Sequence, residues 1–158
     1  DTIKLCGLVP SVVTYTTLMN AYCEVGNIDG MLELLREMEE KAVMPTHVTY
    51  TVVIKGLCKQ WKLQESVKLL EDMRAKGLTP DQITYNTIIQ CFCKARDLSK
   101  AFQLHDEMLL HNLEPSPVTY NVLINGLCVY GDLKDADKLL LSLEDQKVSL
   151  TKVAKLTF

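Results

Sequence analysis

With 158 residues, the chain is long enough for one ordinary domain or a handful of repeat units. Apolar residues at 47% and charged residues at 23% exclude a disordered tail, and the uncharged apolar stretches fall short of the ~20 residues that a membrane-spanning helix needs. A net charge of −3 excludes a cationic polyelectrolyte, so any nucleic-acid role must rest on a local surface. The opening Asp1-Thr2-Ile3-Lys4 shows neither a signal-peptide pattern nor the Arg- and Ser-rich composition of a transit peptide.

The chain repeats itself. Val13-Thr14-Tyr15, Val48-Thr49-Tyr50, Ile83-Thr84-Tyr85 and Val118-Thr119-Tyr120 recur with a spacing of 35 residues. The same register holds Cys23, Cys58, Cys93 and Cys128; Ile28, Leu63, Leu98 and Leu133; Met38, Met73, Met108 and Leu143; and Pro45, Pro80, Pro115 and Leu150. Residues 1–11 read as the tail of a preceding unit. Full units follow at 12–46, 47–81, 82–116 and 117–151, and residues 152–158 read as the start of a truncated fifth. The chain is therefore expected to be a slice of a longer array.

Each unit predicts two helices. In the first, Tyr15, Leu18, Met19, Tyr22 and Cys23 form one apolar stripe at helical spacing. It starts after Pro10-Ser11, and its equivalents start after Pro45-Thr46, Pro80-Asp81 and Pro115-Ser116, each a helix breaker followed by an N-cap residue type. A short turn follows, and Asn27, Asp97 and Asp132 stand where the second helix needs its N-cap, with Lys62 the exception. The second stripe of unit two is Leu63, Ser66, Val67, Leu70 and Met73, and Gly77 closes it. No strand-type alternation is sustained, so the fold is all-α. Neither helix can bury its stripe alone, and stacking of units into a superhelix follows.

Val-Thr-Tyr-Asn, Gly-Leu-Cys-Lys and the closing Met…Gly…Pro-Asp resemble the pentatricopeptide repeat in its pure 35-residue form. Unit two carries Gly56-Leu57-Cys58-Lys59, Met73, Gly77 and Pro80-Asp81; unit four carries Val118-Thr119-Tyr120-Asn121 and Asn125-Gly126-Leu127-Cys128. The 34-residue tetratricopeptide repeat is one residue shorter, and its Trp-Leu-Gly pattern is absent. The resemblance implies a right-handed alpha-alpha superhelix, a solenoid of helix-turn-helix repeats that binds single-stranded RNA at one base per repeat. It implies work on transcripts in a mitochondrion or chloroplast: processing, stabilisation or translation.

By the same resemblance, Val13, Val48, Ile83, Val118 and Val153 sandwich the bases. The base-choosing pairs are Thr16 with Thr46, Thr51 with Asp81, Asn86 with Ser116, and Asn121 with Thr151. Lys59 and Lys94 match the column expected near the RNA backbone, whereas Glu24 and Val129 do not. Lys155 stands where the fifth unit should have Tyr. The implied core is purine-G-C-pyrimidine, read 5′ to 3′. Small hydroxyl and amide groups suit the Watson–Crick edge of an unpaired base.

Other readings of these residues are weaker. The Tyr and Met columns read as packing. Packed helices lie ~8–10 Å apart, too far for column cysteines to share a zinc ion at ~2.3 Å or to form disulfides across ~4.4–6.8 Å. The cysteines, Cys91 included, therefore read as free buried thiols, with no metal and no cofactor. His47, His105 and His111 occupy different repeat positions without a repeated nucleophile or acid, and no Gly-rich phosphate loop is present, so no enzyme is expected. Glu37, Glu39 and Glu40 read as a solvated face, and Asp81 and Ser116 as helix caps in the plainest account. The alternative function is a protein-interaction scaffold holding a peptide on the concave face. An array cut at both ends exposes apolar ends, which leaves self-association of the fragment open.

Overall fold

The computed structural model describes residues 10–131 and 133–145. They form α1 (Val12–Glu24), α2 (Ile28–Glu40), α3 (His47–Lys59), α4 (Leu63–Ala75), α5 (Gln82–Lys94), α6 (Leu98–Leu110), α7 (Pro117–Tyr130) and α8 (Leu133–Asp145), with no strand among the described residues. Helix starts recur every 35 residues in both the odd and the even series. No helix of the described residues is long and apolar enough to cross a membrane. The expected tail at 1–9, the N-cap Asp132, and the readings of Leu143, Leu150, Thr151, Val153, Lys155 and the cut ends lie outside what is described here.

The helix starts follow from their caps. Ser11, Thr46 and Ser116 each accept a bond from the backbone N–H three residues on, and the hydroxyl oxygen of the threonine there accepts from the cap residue's own backbone N–H, completing a capping box. Asp81 caps α5 through Oδ1, which accepts from Thr84 N at 2.9 Å and Thr84 Oγ1 at 2.8 Å. Asn27 and Asp97 cap α2 and α6, whereas Lys62 gives α4 no side-chain cap. The plain reading of Asp81 and Ser116 as caps is thus correct, and any ligand must use what the cap leaves over.

The chain divides into two compact units, residues 1–80 with α1–α4 and residues 81–158 with α5–α8. In the first, α1 packs on α2 and α3, and α3 packs on α4. In the second, α5 packs on α6 and α7, and α7 packs on α8. The Tyr and Met columns fill these seams: Tyr15, Tyr50 and Tyr85, with Met38, Met73 and Met108, are fully buried. Gly56 and Gly126 hold equivalent places on α3 and α7; a Cβ on Gly126 would stand 3.0 Å from Cys93 Sγ and 3.1 Å from Leu98 Cδ2. Glycine there lets the two helices approach.

Details depart from the stripes. In α4, Leu69 is buried and Val67 only half-buried. Glu37 is not part of a freely solvated face. It is half-buried and accepts a 3.1 Å bond from the Tyr15 hydroxyl, with Lys41 paired to the same carboxylate oxygen. Cys91 and Cys128 are half-buried, unlike Cys23, Cys58 and Cys93. Burial pushes the Cys93 thiol up to about 11, with Cys91 adding to the shift, so it stays protonated at neutral pH. His105 fills the column of Leu35 and Leu70 and lies against Phe102 and Tyr120.

Helix exits use left-handed residues. Gly77 (φ 76°) ends α4, and Ala42 (φ 57°) holds the same place after α2, where Val43 N–H donates to the Met38 carbonyl at 2.8 Å. That conformation costs an L-residue about 1–2 kcal/mol, while glycine's extra freedom in the unfolded chain returns about 0.4–1 kcal/mol. Ala42→Gly is therefore expected to stabilise the protein by about 0.5–1 kcal/mol. Urea unfolding should show a higher midpoint with an unchanged slope; a lower midpoint contradicts the strain.

Candidate nucleic-acid interface

The second residue of each odd helix is a branched aliphatic that points to solvent. Val13 is 74% exposed, Val48 49%, Ile83 67% and Val118 56%. One such residue is unremarked on a protein surface, but four at equivalent positions are a column of apolar contacts left open. The reason is local. Each odd helix buries its fourth residue, Tyr15, Tyr50, Tyr85 or Tyr120, and α3, α5 and α7 bury the threonine before it as well, so the second residue is turned outward.

Beside this column stand the expected base-choosing residues. In the first unit, Thr16 Oγ1 lies 3.0 Å from Thr49 Oγ1, and Thr49 Oγ1 lies 3.2 Å from Thr46 Oγ1. Thr49 also accepts from Thr46 N–H at 3.2 Å, while Thr46 Oγ1 accepts from Thr49 N–H at 3.4 Å. One buried hydroxyl thus joins the two residues that the resemblance pairs. Thr51 differs: its hydroxyl donates to the His47 carbonyl at 2.8 Å. Asp81 uses Oδ1 for its cap, and both of those bonds fall on that one oxygen.

In the second unit, Ser116 Oγ accepts from Thr119 N–H at 3.4 Å and lies 3.3 Å from Thr119 Oγ1. Asn86 Oδ1 is enclosed and has no hydrogen-bond partner among the described residues. A buried amide oxygen in that condition is uncommon, since such groups normally find a donor. Between α5 and α7 runs an open groove of about 460 Å³. It gathers three expected residues, Lys94, Val118 and Asn121, together with Gln90, Asn125 and Tyr130.

The lysines do not behave alike. Lys94 is exposed and has no ion-pair partner among the described residues. Lys59 Nζ stands 2.8 Å from Glu24 Oε2, and Lys55 Nζ stands 3.2 Å from Glu24 Oε1. Lys59, then Lys55, pull the Glu24 carboxyl below the usual carboxylate range, and Glu24 in turn holds Lys59 above its ordinary value.

Sequence reading missed the threonine of the Val-Thr-Tyr motif as a site residue, although its column was in plain view at Thr14, Thr49, Thr84 and Thr119. It marked only the repeat, and packing alone shows Thr49 reaching Thr16. Gln90 and Asn125 were missed too. They share a repeat position with Asn20 and Lys55, a polar column that could have been found.

The chain is similar to known proteins in sequence and fold. The family model described as PPR repeat family matches residues 10–59, 48–94 and 80–129, and the PPR repeat model matches 118–148. The pentatricopeptide repeat-containing protein At2g16880 of Arabidopsis thaliana is 42% identical over 43 residues, covering 27% of this chain and 6% of its own length. The maize protein PPR10, solved in complex with an 18-nt psaJ RNA element, is 29% identical, with a TM-score of 0.82 over 96% of this chain and 23% of its own. The PPR domain of Arabidopsis thaliana protein-only RNase P 1, solved with tRNA, is 18% identical with a TM-score of 0.79, over 98% of this chain and 82% of its own, and shows the fold alone. This chain thus spans under a quarter of the length of At2g16880 and of PPR10. The fold is the all-α helical-repeat superhelix of these structures, and on the matched repeats that run from residue 10 to residue 148 the chain belongs to the pentatricopeptide repeat family.

Proposed function

We propose that the chain is a sequence-specific binder of single-stranded RNA, taking one base per repeat. The observation that carries the reading is the column of exposed aliphatic residues Val13, Val48, Ile83 and Val118, one in each repeat. Such side chains offer van der Waals contact to the face of any base and so tolerate every sequence. Choice falls to the polar pairs: Thr16 with Thr46 for a purine, Thr51 with Asp81 for guanine, Asn86 with Ser116 for cytosine, and Asn121 with Thr151 for a pyrimidine. Lys94 supplies a cation for the backbone, and Val153 closes the last sandwich. The complex of PPR10 with RNA supports this reading. A plant organelle, mitochondrion or chloroplast, is the proposed location, and processing, stabilisation or translation of its transcripts the proposed role. The chain supplies the address on the RNA rather than a catalyst.

Selection of bound sequences from a random RNA pool tests the proposal. Enrichment of purine-G-C-pyrimidine is expected. A pool with no enriched motif, together with binding of apolar peptides on the same face, replaces RNA with the scaffold reading.

The shared hydroxyl makes a sharper claim within the first unit. Thr49 orients Thr16 and Thr46 together, so Thr49→Val is expected to blur the choice between purines and pyrimidines at that base by about tenfold, a loss of roughly one hydrogen bond's worth of discrimination. The cap partner lost with it should cost about 1 kcal/mol in stability. Thr49→Ser keeps the hydroxyl and should restore the choice. Anisotropy titrations on RNAs differing at that base read the effect; equal discrimination in Thr49→Val and the parent protein would remove Thr49 from the site.

A further inference from the structure

We infer that Glu24 is a built-in limit on RNA affinity: its carboxylate holds the ammonium groups of Lys55 and Lys59, which would otherwise face the phosphates. The inference rests on the single-stranded RNA reading above. Val48, Thr51, Lys55 and Lys59 lie at i, i+3, i+7 and i+11 on α3, so the two lysines continue the stripe that presents the proposed base contacts. A strand lying along that stripe would bring its phosphates to these lysines.

Glu24 reaches the same place from the last residue of α1. Its two oxygens are divided between the lysines, Oε1 to Lys55 at 3.2 Å and Oε2 to Lys59 at 2.8 Å. All three side chains are about half exposed, so the cluster sits where a solvated strand can arrive. An exposed pair of this kind adds little to folding stability. Its weight falls on the ligand, because a phosphate must displace the carboxylate from Lys59 or accept a like charge beside it. In the same repeat column Lys94 faces no carboxylate among the described residues and stays open to a phosphate. The charge of Glu24 therefore sets where cationic contact starts along the array.

The test measures binding of a short single-stranded RNA carrying the core AGCC by fluorescence anisotropy across a salt series, using the whole chain. Glu24→Gln keeps the shape and removes the charge. It is expected to bind about fivefold tighter at low salt, with the slope of log affinity against log salt steeper by about 0.7 for each phosphate gained. Lys59→Ala should change affinity less than twofold in the parent protein and about fivefold in the Glu24→Gln background. Lys94→Ala should weaken binding in both. Circular dichroism should be unchanged throughout, since the loss of a negative charge at the carboxyl end of α1 favours that helix. Unchanged affinity and slope in Glu24→Gln, with Lys94→Ala still weakening binding, overturns the role of Glu24 and leaves the RNA reading standing. Absence of RNA binding in the parent and every variant overturns both.

Discussion

Replacing Val48 with Asp is expected to weaken binding of single-stranded RNA by at least tenfold while leaving the fold intact. Stacking on an aromatic platform is worth about 1–3 kcal/mol per base, and an aliphatic contact gives less. The substitution also sets a carboxylate beside a polyanion, so loss of contact and repulsion add, and about 1.4 kcal/mol between them already makes the tenfold change. The helix has no reason to suffer. Val48 is the second residue of α3 and half exposed, and a negative charge in the first turn is favourable there. Ile83 has the same place on α5 and 67% exposure, so Ile83→Asp should act likewise. Anisotropy titrations at fixed salt, with thermal melts alongside, read both effects. Unchanged affinity in both variants would take the aliphatic column out of the RNA site and turn attention to a peptide ligand.

Asp81→Asn is expected to shift the base preferred by the second repeat from guanine towards adenine, by about tenfold in the ratio of affinities, the size of one satisfied against one unsatisfied hydrogen bond. An ionised carboxylate only accepts, which suits the ring and amino N–H groups of guanine. An amide also donates, which suits the unprotonated ring nitrogen of adenine. Folding is insulated from the change, because Asp81 caps α5 through Oδ1 and asparagine is an equally good N-cap. Paired RNAs that differ at this one base, measured at one salt concentration, isolate the effect. The same guanine-to-adenine ratio in both proteins would sink the base-choosing role of Asp81 and leave the repeat fold untouched.

The success of sequence reading here has a physical source. Each unit meets its neighbour through the same interface, so a residue needed for packing recurs at every turn of the array. Tyr15, Tyr50, Tyr85 and Tyr120 are buried because one environment is built four times over. Caps are equally local: Ser11, Thr46, Asp81 and Ser116 act on backbone groups three residues away. The aliphatic column was marked only through the family resemblance; its exposure follows from packing, because the tyrosine two residues on is buried in every odd helix. Residues that break a column were harder to read. Trp61 and Arg96 take left-handed conformations where Gly26 has one, because the turn geometry is imposed by the helices on either side. His105 is buried because the Leu35 and Leu70 column is buried, whatever residue stands there.

By itself the sequence determined the period, the class of fold and the helix starts, since all of these depend on contacts within one unit or on interfaces repeated along the chain. Only the tertiary structure decided what occupies the polar groups of the site. Glu24 and Lys59 are one full repeat apart in sequence, and Thr16 and Thr49 nearly so, yet each pair meets because α1 and α3 pack side by side. Partners of this kind are chosen by side-chain reach across a helix interface. No spacing rule within a single helix encodes that choice, so the pairing of Lys59 and the bridging hydroxyl of Thr49 emerge only once the helices are in place.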